Sequence, residues 1–337
     1  MTMNWKDKRV LVTGATGMVG SWLVKKLIQE EAFVVTLIRD WNPQSEMIRS
    51  GDVQHTTVVS GELEDFSALE RAISENDIDT VFHLGAQPLV GTAFRSPLPT
   101  FEANIRGTYN VLEACRIHQS LVQRIVIASS DKAYGDMDRL PYTEDMVPYG
   151  RFPYDVSKSC TDLLARSYAE TYDLPLAISR CGNIYGGGDL NWSRIVPGTI
   201  RSLLNNERPI IRSDGKFTRD YIFVLDVVHA YLTLASKAQD SGIRGQAFNF
   251  SAEKPWNVLE ITNKIQEIMD CQHLAPIILD KAKAEIKDQY LDSGKAKRVL
   301  NWTSHYNLNE GLLPTINWYK EFLSGGQRTD VVPKEKE

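Results

Sequence analysis

Cysteine is scarce in this chain of 337 residues, with only Cys115, Cys160, Cys181 and Cys271 and no Cys-x-x-Cys pair. That argues against a zinc ribbon or a disulfide framework and fits a reducing compartment. Excess positive charge is missing too. The 38 Lys and Arg are outnumbered by 43 Asp and Glu, which leaves a net charge of -5. A nucleic-acid binder with a basic face is therefore not expected. No apolar run approaches the length that spans a bilayer, and the opening MTMNWKDKRV has no apolar core of a signal peptide. The six histidines form no ligand-spaced cluster, so no metal site is expected. These absences lead to the expectation of a cytoplasmic protein with neither membrane nor nucleic-acid partners.

What is present is an ordinary globular composition, 42% hydrophobic and 24% charged, which excludes a disordered or collagen-like chain. Short apolar runs at 10–12, 34–38, 57–59, 80–82, 124–128 and 176–179 read as strands. Amphipathic stretches such as 21–30 and 67–75 lie between them. Continuous apolar strands separated by helices imply a parallel sheet covered on both faces. The expected fold class is therefore α/β, a Rossmann-type doubly wound sheet. After about residue 183 the rhythm changes. Helical stretches at 258–269, 294–300 and 309–322 are separated by irregular chain, which predicts a smaller C-terminal α/β substrate domain. The polar segment 324–337 reads as a disordered tail.

Chemistry gathers at the ends of the expected strands. Gly14-Ala-Thr16-Gly17-Met18-Val19-Gly20 places Gly-x-x-Gly-x-x-Gly at the first strand-to-helix turn. Glycines let a backbone approach a pyrophosphate, and a helix N-terminus offers free N–H groups. A turn packed tightly for its own sake would look similar, but its place after the first strand favours a dinucleotide. Asp40 ends the second strand, where a carboxylate would accept from a ribose 2′-hydroxyl, so NAD is expected. Arg39 beside it leaves NADP open. Glu62 and Leu63 follow the third strand. Ser130 follows the fifth, and Tyr154 and Lys158 stand four apart on one helical face. Lys158 there could favour a phenolate, and Ser130 could hydrogen-bond a reacting hydroxyl. A surface pair and a helix cap are the plain alternatives. The order of glycine loop, Ser and Tyr-x-x-x-Lys is stronger than any one member.

Further motifs carry a resemblance. They are His83-Leu84-Gly-Ala86-Gln87, Asn104-Ile-Arg-Gly-Thr108, Arg180-Cys-Gly-Asn183-Ile-Tyr-Gly, Arg219-Asp-Tyr-Ile-Phe-Val-Leu-Asp226 and Leu291-Asp-Ser-Gly-Lys-Ala-Lys-Arg-Val-Leu-Asn-Trp302. Over residues 7–322 the chain resembles the extended short-chain dehydrogenases/reductases of the nucleotide-sugar epimerase/dehydratase family. Ala86-Gln-Pro-Leu-Val90, Ser130-Asp131-Lys132-Ala-Tyr134 and Gly188-Asp189-Leu-Asn-Trp192-Ser-Arg194-Ile-Val-Pro197 are similar to CDP-glucose 4,6-dehydratases.

The resemblance implies roles. Gly14, Thr16, Gly17, Met18, Val19, Asp40, Glu62, Leu63, Leu84, Ala86, Tyr154 and Lys158 would hold NAD. Ser130, Tyr154 and Lys158 would move hydride and proton, Asp131 would be the acid that expels the carbon-6 hydroxyl, and Lys132 would be either a base or an enolate stabiliser. Gln87, Asn104, Asn183, Arg194, Arg212 and Arg219 would bind the nucleotide sugar, with Arg219 on its diphosphate. Residues 1–182 plus about 222–245 would bind the dinucleotide, and about 183–221 plus 246–323 the nucleotide sugar. A homodimer through helices 101–117 and 154–172 is implied.

Tyr185-Gly-Gly-Gly-Asp189 departs from the usual Tyr-Gly-Pro-Gly. Phe217-Thr-Arg219-Asp-Tyr221 is closer to general epimerases, and Glu62 stands where Asp is usual. The expected activity is dehydration of a nucleotide hexose, CDP-glucose first. The alternatives are a 4-epimerase using the same Ser-Tyr-Lys set and a non-enzymatic dinucleotide-binding regulator.

Overall fold

The computed structural model describes residues 3–281 and 286–325. The chain begins with β1 (Arg9–Thr13), α1 (Met18–Gln29), β2 (Phe33–Ile38), α2 (Glu46–Arg49), β3 (Thr57–Ser60), α3 (Phe66–Ser74) and β4 (Thr80–His83). Short helices α4 (Val90–Arg95) and α5 (Pro97–Phe101) run through a π-helical turn (Glu102–Arg106) into α6 (Gly107–Ile117). β5 (Arg124–Ala128), a single 3-10 turn (Asp131–Tyr134), α7 (Pro153–Tyr172) and β6 (Leu176–Cys181) follow. The remainder comprises β7 (Asn183–Tyr185), α8 (Ile195–Leu204), β8 (Ile210–Ile211), β9 (Thr218–Phe223), α9 (Val224–Lys237) and β10 (Ala247–Phe250). It ends with β11 (Pro255–Asn257), α10 (Val258–Ile268), β12 (Ile277–Ile278), β13 (Asp288–Gln289) and α11 (Leu308–Leu323).

All six expected strands lie in one parallel sheet of seven, ordered β10-β6-β5-β4-β1-β2-β3. The period of two along β1 explains why both faces are covered. Val10 and Val12 join one core cluster with Leu23 and Val227, while Leu11 joins the other with Leu69 and Val111. The strand order turns around beside β1, between β4 and β2. Ligand sites of open α/β sheets form at such a reversal, outside the strands' C-terminal ends.

The seventh strand corrects the expected division of the chain. Residues 247–250 fall in a segment assigned to the smaller domain, yet β10 pairs with β6, Phe248 opposite Ser179. Phe248 and Phe250 are fully buried. The buried Asn249 between them satisfies its amide by donating to the Tyr142 carbonyl at 2.9 Å and accepting from the Tyr134 hydroxyl at 2.7 Å. That bonding lets a polar residue sit in an edge strand, and it was invisible to local pattern.

The smaller part holds β11-β9-β13, with β7 also on β9, and the separate pair β12-β8. Its helices α10 and α11 start at capping boxes, Asn257 with Glu260 and Asn307 with Glu310. The helix expected at 294–300 is a π-helical turn (Ala296–Leu300) stopped by Asn301 at φ 56°. Of the expected tail, Ser324 caps α11 and Gly325 follows; 326–337 lie outside the described residues. No helix among the described residues is long and apolar enough to cross a membrane.

Candidate active site

The glycine loop is shaped by contacts that no side chain could share. Gly14 has φ 72°, and a Cβ on it would stand 2.7 Å from the Gly85 nitrogen. A Cβ on Gly20 would stand 2.1 Å from the Gly14 carbonyl oxygen. Helix α1 therefore starts directly against the end of β1. Gly17 is exposed, Thr16, Met18 and Val19 are half-buried, and the first turn carries no acidic residue. Its N–H groups remain available to an anion, so this cradle fits the pyrophosphate of a dinucleotide. The β4 loop is tied beside it. Gly85 N–H donates to Thr13 Oγ1 at 3.0 Å, and Leu84 N–H to the Thr13 carbonyl at 3.3 Å. Leu63 fills the space where a Gly85 or a Gly107 side chain would go, which sets the loop after β3 against the loop after β4.

At the far rim, Arg39 Nε donates to Asp40 Oδ2 at 2.7 Å, and both are exposed. That hydrogen bond holds the guanidinium above its ordinary value, and Asp40, Glu62 and Glu64 add to it by charge. Asp40, expected to favour NAD, is paired with the Arg39 that had left NADP open.

Ser130, Asp131 and Lys132 leave β5 together. Ser130 caps the 3-10 turn: its Oγ accepts from Lys132 N–H at 3.2 Å and donates to Asp131 Oδ1 at 2.9 Å. Asp131 is buried. Burial raises its carboxyl above the ordinary value, while Lys132, Ser130 and Arg219 pull the other way. Tyr154 opens α7 behind Pro153, whose fixed φ suits a first helical position. Ser130 lies close enough to the Tyr154 hydroxyl to oppose, by hydrogen bonding, the rise that burial imposes on it.

The electrostatics differ from the sequence expectation. Burial pushes the Tyr154 phenol up to about 12, and the cation opposing that is Arg194. Lys158 instead donates from Nζ to the Ala128 carbonyl at 2.8 Å. Burial lowers it to about 8, with Asp162 opposing. A strand-end carbonyl within reach captures the amine.

The substrate candidates separate into groups. Asn104 is buried in the π-helical turn, accepting from Gln87 N–H at 2.7 Å and donating to the Gln87 carbonyl at 3.2 Å and Ser157 Oγ at 2.9 Å. It ties the β4 loop to α7 instead of facing open space. Gln87 Nε2 reaches Thr100 at 3.0 Å. Arg194 pairs with Asp189 at 3.0 Å and lies within electrostatic range of Tyr154. Asn183 is half-buried on β7, opposite Tyr221. Arg212 is exposed after β8. Arg219 is buried, and its guanidinium donates to the carbonyls of Thr218 (2.8 Å), Lys287 (2.7 Å) and Ile286.

Sequence reasoning missed several neighbours. Asp155, inside the Tyr-x-x-x-Lys motif, is buried and pushed up to about 6, with Lys132 opposing and Asp131 adding. Asp220 beside Arg219 is pushed up to about 7 by burial, with Asp131 adding. Gln289 accepts a hydrogen bond from Lys132 Nζ across 157 positions of sequence, a separation no local signal spans. His83 is buried between Thr13 and Thr108 and lowered to about 3, so it is a neutral packed group. Among the described residues no cluster of His, Cys, Asp and Glu could hold a metal ion.

Comparison with known proteins agrees with this geometry. The profile of the GDP-mannose 4,6-dehydratase family matches residues 11–314. A CDP-glucose 4,6-dehydratase of Salmonella typhimurium is 30% identical, covering 95% of this chain and 93% of the relative. A dTDP-glucose 4,6-dehydratase of Mycobacterium tuberculosis is 28% identical over 93% of each. A solved UDP-glucose 4-epimerase from Thermotoga maritima, with UDP-glucose, superposes with a TM-score of 0.84 at 27% identity, covering 94% of this chain and 99% of that one.

Proposed function

The chain belongs to the extended short-chain dehydrogenase/reductase family of nucleotide-sugar epimerases and dehydratases, and from that premise we propose that it is an NAD-dependent 4,6-dehydratase of a nucleotide hexose, CDP-glucose first. Membership makes it an enzyme that modifies the hexose of a nucleotide sugar. The observation that carries the finer reading is Asp131: a buried carboxyl with a raised pKa, bonded to the same Ser130 that meets Tyr154. Hydride transfer at carbon 4 needs no such acid. Expelling a hydroxyl from carbon 6 does.

Bound NAD⁺ supplies an acceptor for the carbon-4 hydride, its later donor to carbon 6, and a positive charge that favours the Tyr154 phenolate. Tyr154 takes the proton of the carbon-4 hydroxyl while Ser130 donates a hydrogen bond to that oxygen. The new ketone acidifies carbon 5. Solvent water accepts the carbon-5 proton and later returns it, while Asp131 gives its proton to the carbon-6 hydroxyl, which departs as water, and recovers one from Tyr154 by way of Ser130. A proton added at carbon 5 completes the 4-keto-6-deoxy sugar, so the sugar loses one water and the cofactor is unchanged. Arg194 is the substrate arginine closest in effect to the reacting group; Arg219 acts mainly as scaffold and as a positive charge on Asp131.

NAD is favoured over NADP because Arg39 is already paired with Asp40 and faced by Glu62 and Glu64, a setting that repels a 2′-phosphate. A homodimer through α6 and α7 is supported by exposed Tyr109, Ile117, Leu163 and Tyr172 on those helices.

The second reading is a 4-epimerase, favoured by the fold shared with a UDP-glucose 4-epimerase and by the Phe-Thr-Arg-Asp-Tyr segment at Arg219. Incubation with CDP-glucose, dTDP-glucose, GDP-mannose, UDP-glucose and UDP-N-acetylglucosamine, followed by mass spectrometry, separates the two. A product lighter by one water establishes the dehydratase. An unchanged mass with a new chromatographic peak means epimerisation, and then Asp131→Asn should retain turnover.

A further inference from the structure

The turn that carries Asp131 and Lys132 is held from the far side of the molecule. Lys132 Nζ donates to Gln289 Oε1. Gln289 is fully buried on β13, in register with Arg219 on β9. The same short segment accepts from the Arg219 guanidinium through the carbonyls of Ile286 and Lys287. Three residues further, Tyr142 N–H donates to the Tyr290 carbonyl and Asp292 N–H to the Tyr142 carbonyl, each at 2.9 Å. The smaller sheet therefore grips the chain leaving β5 at two points, once through the Lys132 side chain and once through the Tyr142 backbone.

We propose that Gln289 is a positioning residue that fixes the Lys132 ammonium as a stationary positive charge over the reacting sugar. An amide oxygen accepts a hydrogen bond from an ammonium but takes no proton from it, so the contact orients a donor and does not create a base. Asp131 and Asp155 lie within electrostatic range of Lys132, and burial raises both. A carboxyl raised by burial offsets less of the ammonium's charge than a free carboxylate would. Lys132 then stabilises the negative charge that builds on the carbon-4 oxygen when carbon 5 loses its proton. This deepens the dehydratase reading and rests on it.

The geometry also explains why the partner is Gln and not an acid. A carboxylate at 289 would neutralise the charge that Lys132 has to offer. An apolar residue would remove the acceptor that Gln289 offers the ammonium.

The test compares wild type, Gln289→Met and Gln289→Glu as full-length proteins loaded with NAD. The first measurement is the rate at which acetic anhydride modifies Lys132, read by peptide mass spectrometry. Met removes the acceptor, and Lys132 labelling should rise several-fold, about as expected for an amine freed from a hydrogen bond; Glu keeps an acceptor and should hold labelling near wild type. The second is single turnover of CDP-glucose, with cofactor reduction followed by absorbance and water loss by mass. In Gln289→Met, water loss should slow by about 10- to 100-fold, more than cofactor reduction does. Gln289→Glu should recover anchoring but not the full rate.

Unchanged Lys132 labelling in Gln289→Met overturns the positioning role whatever the reaction proves to be. Raised labelling with equal loss in both half-reactions overturns the link to dehydration. A wild type that turns over without losing water overturns the dehydratase reading, and the labelling ratio still decides whether Gln289 holds the amine.

Discussion

Lys158 reaches back to the strand it follows. Its Nζ donates to the carbonyl of Ala128, the last residue of β5, at 2.8 Å. Ser130 lies two residues beyond that carbonyl, and Tyr154 lies one helical turn before Lys158. One hydrogen bond therefore fixes α7 against the strand end where the polar turn begins, and it sets the distance at which Ser130 and Tyr154 meet.

Tyr154→Phe removes the hydroxyl without changing the helix or its packing. Turnover should fall by about 10²- to 10⁴-fold, the usual contribution of a positioned acid or base. Cofactor reduction on mixing with substrate checks it. The melting temperature should stay close to that of wild type, since the residue is only half-buried and the ring that packs is kept.

Gly20→Ala places a methyl carbon where the Gly14 carbonyl oxygen already stands, 2.1 Å away. The glycine loop must shift off the helix start. Calorimetric titration with NAD⁺ should show binding weakened at least tenfold, about 1.4 kcal/mol. Affinity equal to wild type would mean that the cradle does not hold the pyrophosphate.

Arg180 and Asp162 form a pair with no solvent exposure on either side chain. Arg180 also donates to the Tyr134 hydroxyl at 2.7 Å, so it clamps β6, α7 and the Asp131–Tyr134 turn at once. Arg180→Leu should cost about 3–5 kcal/mol, because it leaves a buried carboxylate without its cation and with only the Ser129 hydroxyl. Arg180→Leu with Asp162→Leu should recover part of that loss. Urea unfolding of the two variants measures the difference, and a double variant no better than the single one would locate the energy in the Tyr134 contact instead.

Asp220 is pushed from 3.8 up to about 7 by burial. A raised carboxyl binds its proton in the folded chain before the unfolded one, so its contribution is fully present below pH 3.8 and is lost as pH rises through about 7. Asp220→Asn has no charge to bury. The melting temperature of the variant relative to wild type should therefore climb between about pH 4 and 7 and level off above that. A constant difference across that range would show that Asp220 does not titrate there.

Much of the chemistry was legible because it is local. The glycine loop, Ser130-Asp131-Lys132 and Tyr-x-x-x-Lys each sit within a few residues, and the strands announce themselves as continuous apolar runs. The sequence by itself therefore determined the doubly wound sheet, and it set Ser130 just past a strand end and Tyr154 and Lys158 on one helix. It did not reveal that β10 closes the sheet, since a four-residue strand with a central Asn has no pattern of its own. It did not reveal which cation reaches which group. Arg219 turns to main-chain carbonyls, Lys158 to Ala128, and Lys132 to Gln289 far along the chain. Those choices depend on distance and burial, which exist only after the two parts of the chain have packed together. Sequence spacing fixes which groups share a helix face or a strand end; tertiary packing decides which of them lose water, and so which keep or lose their charge.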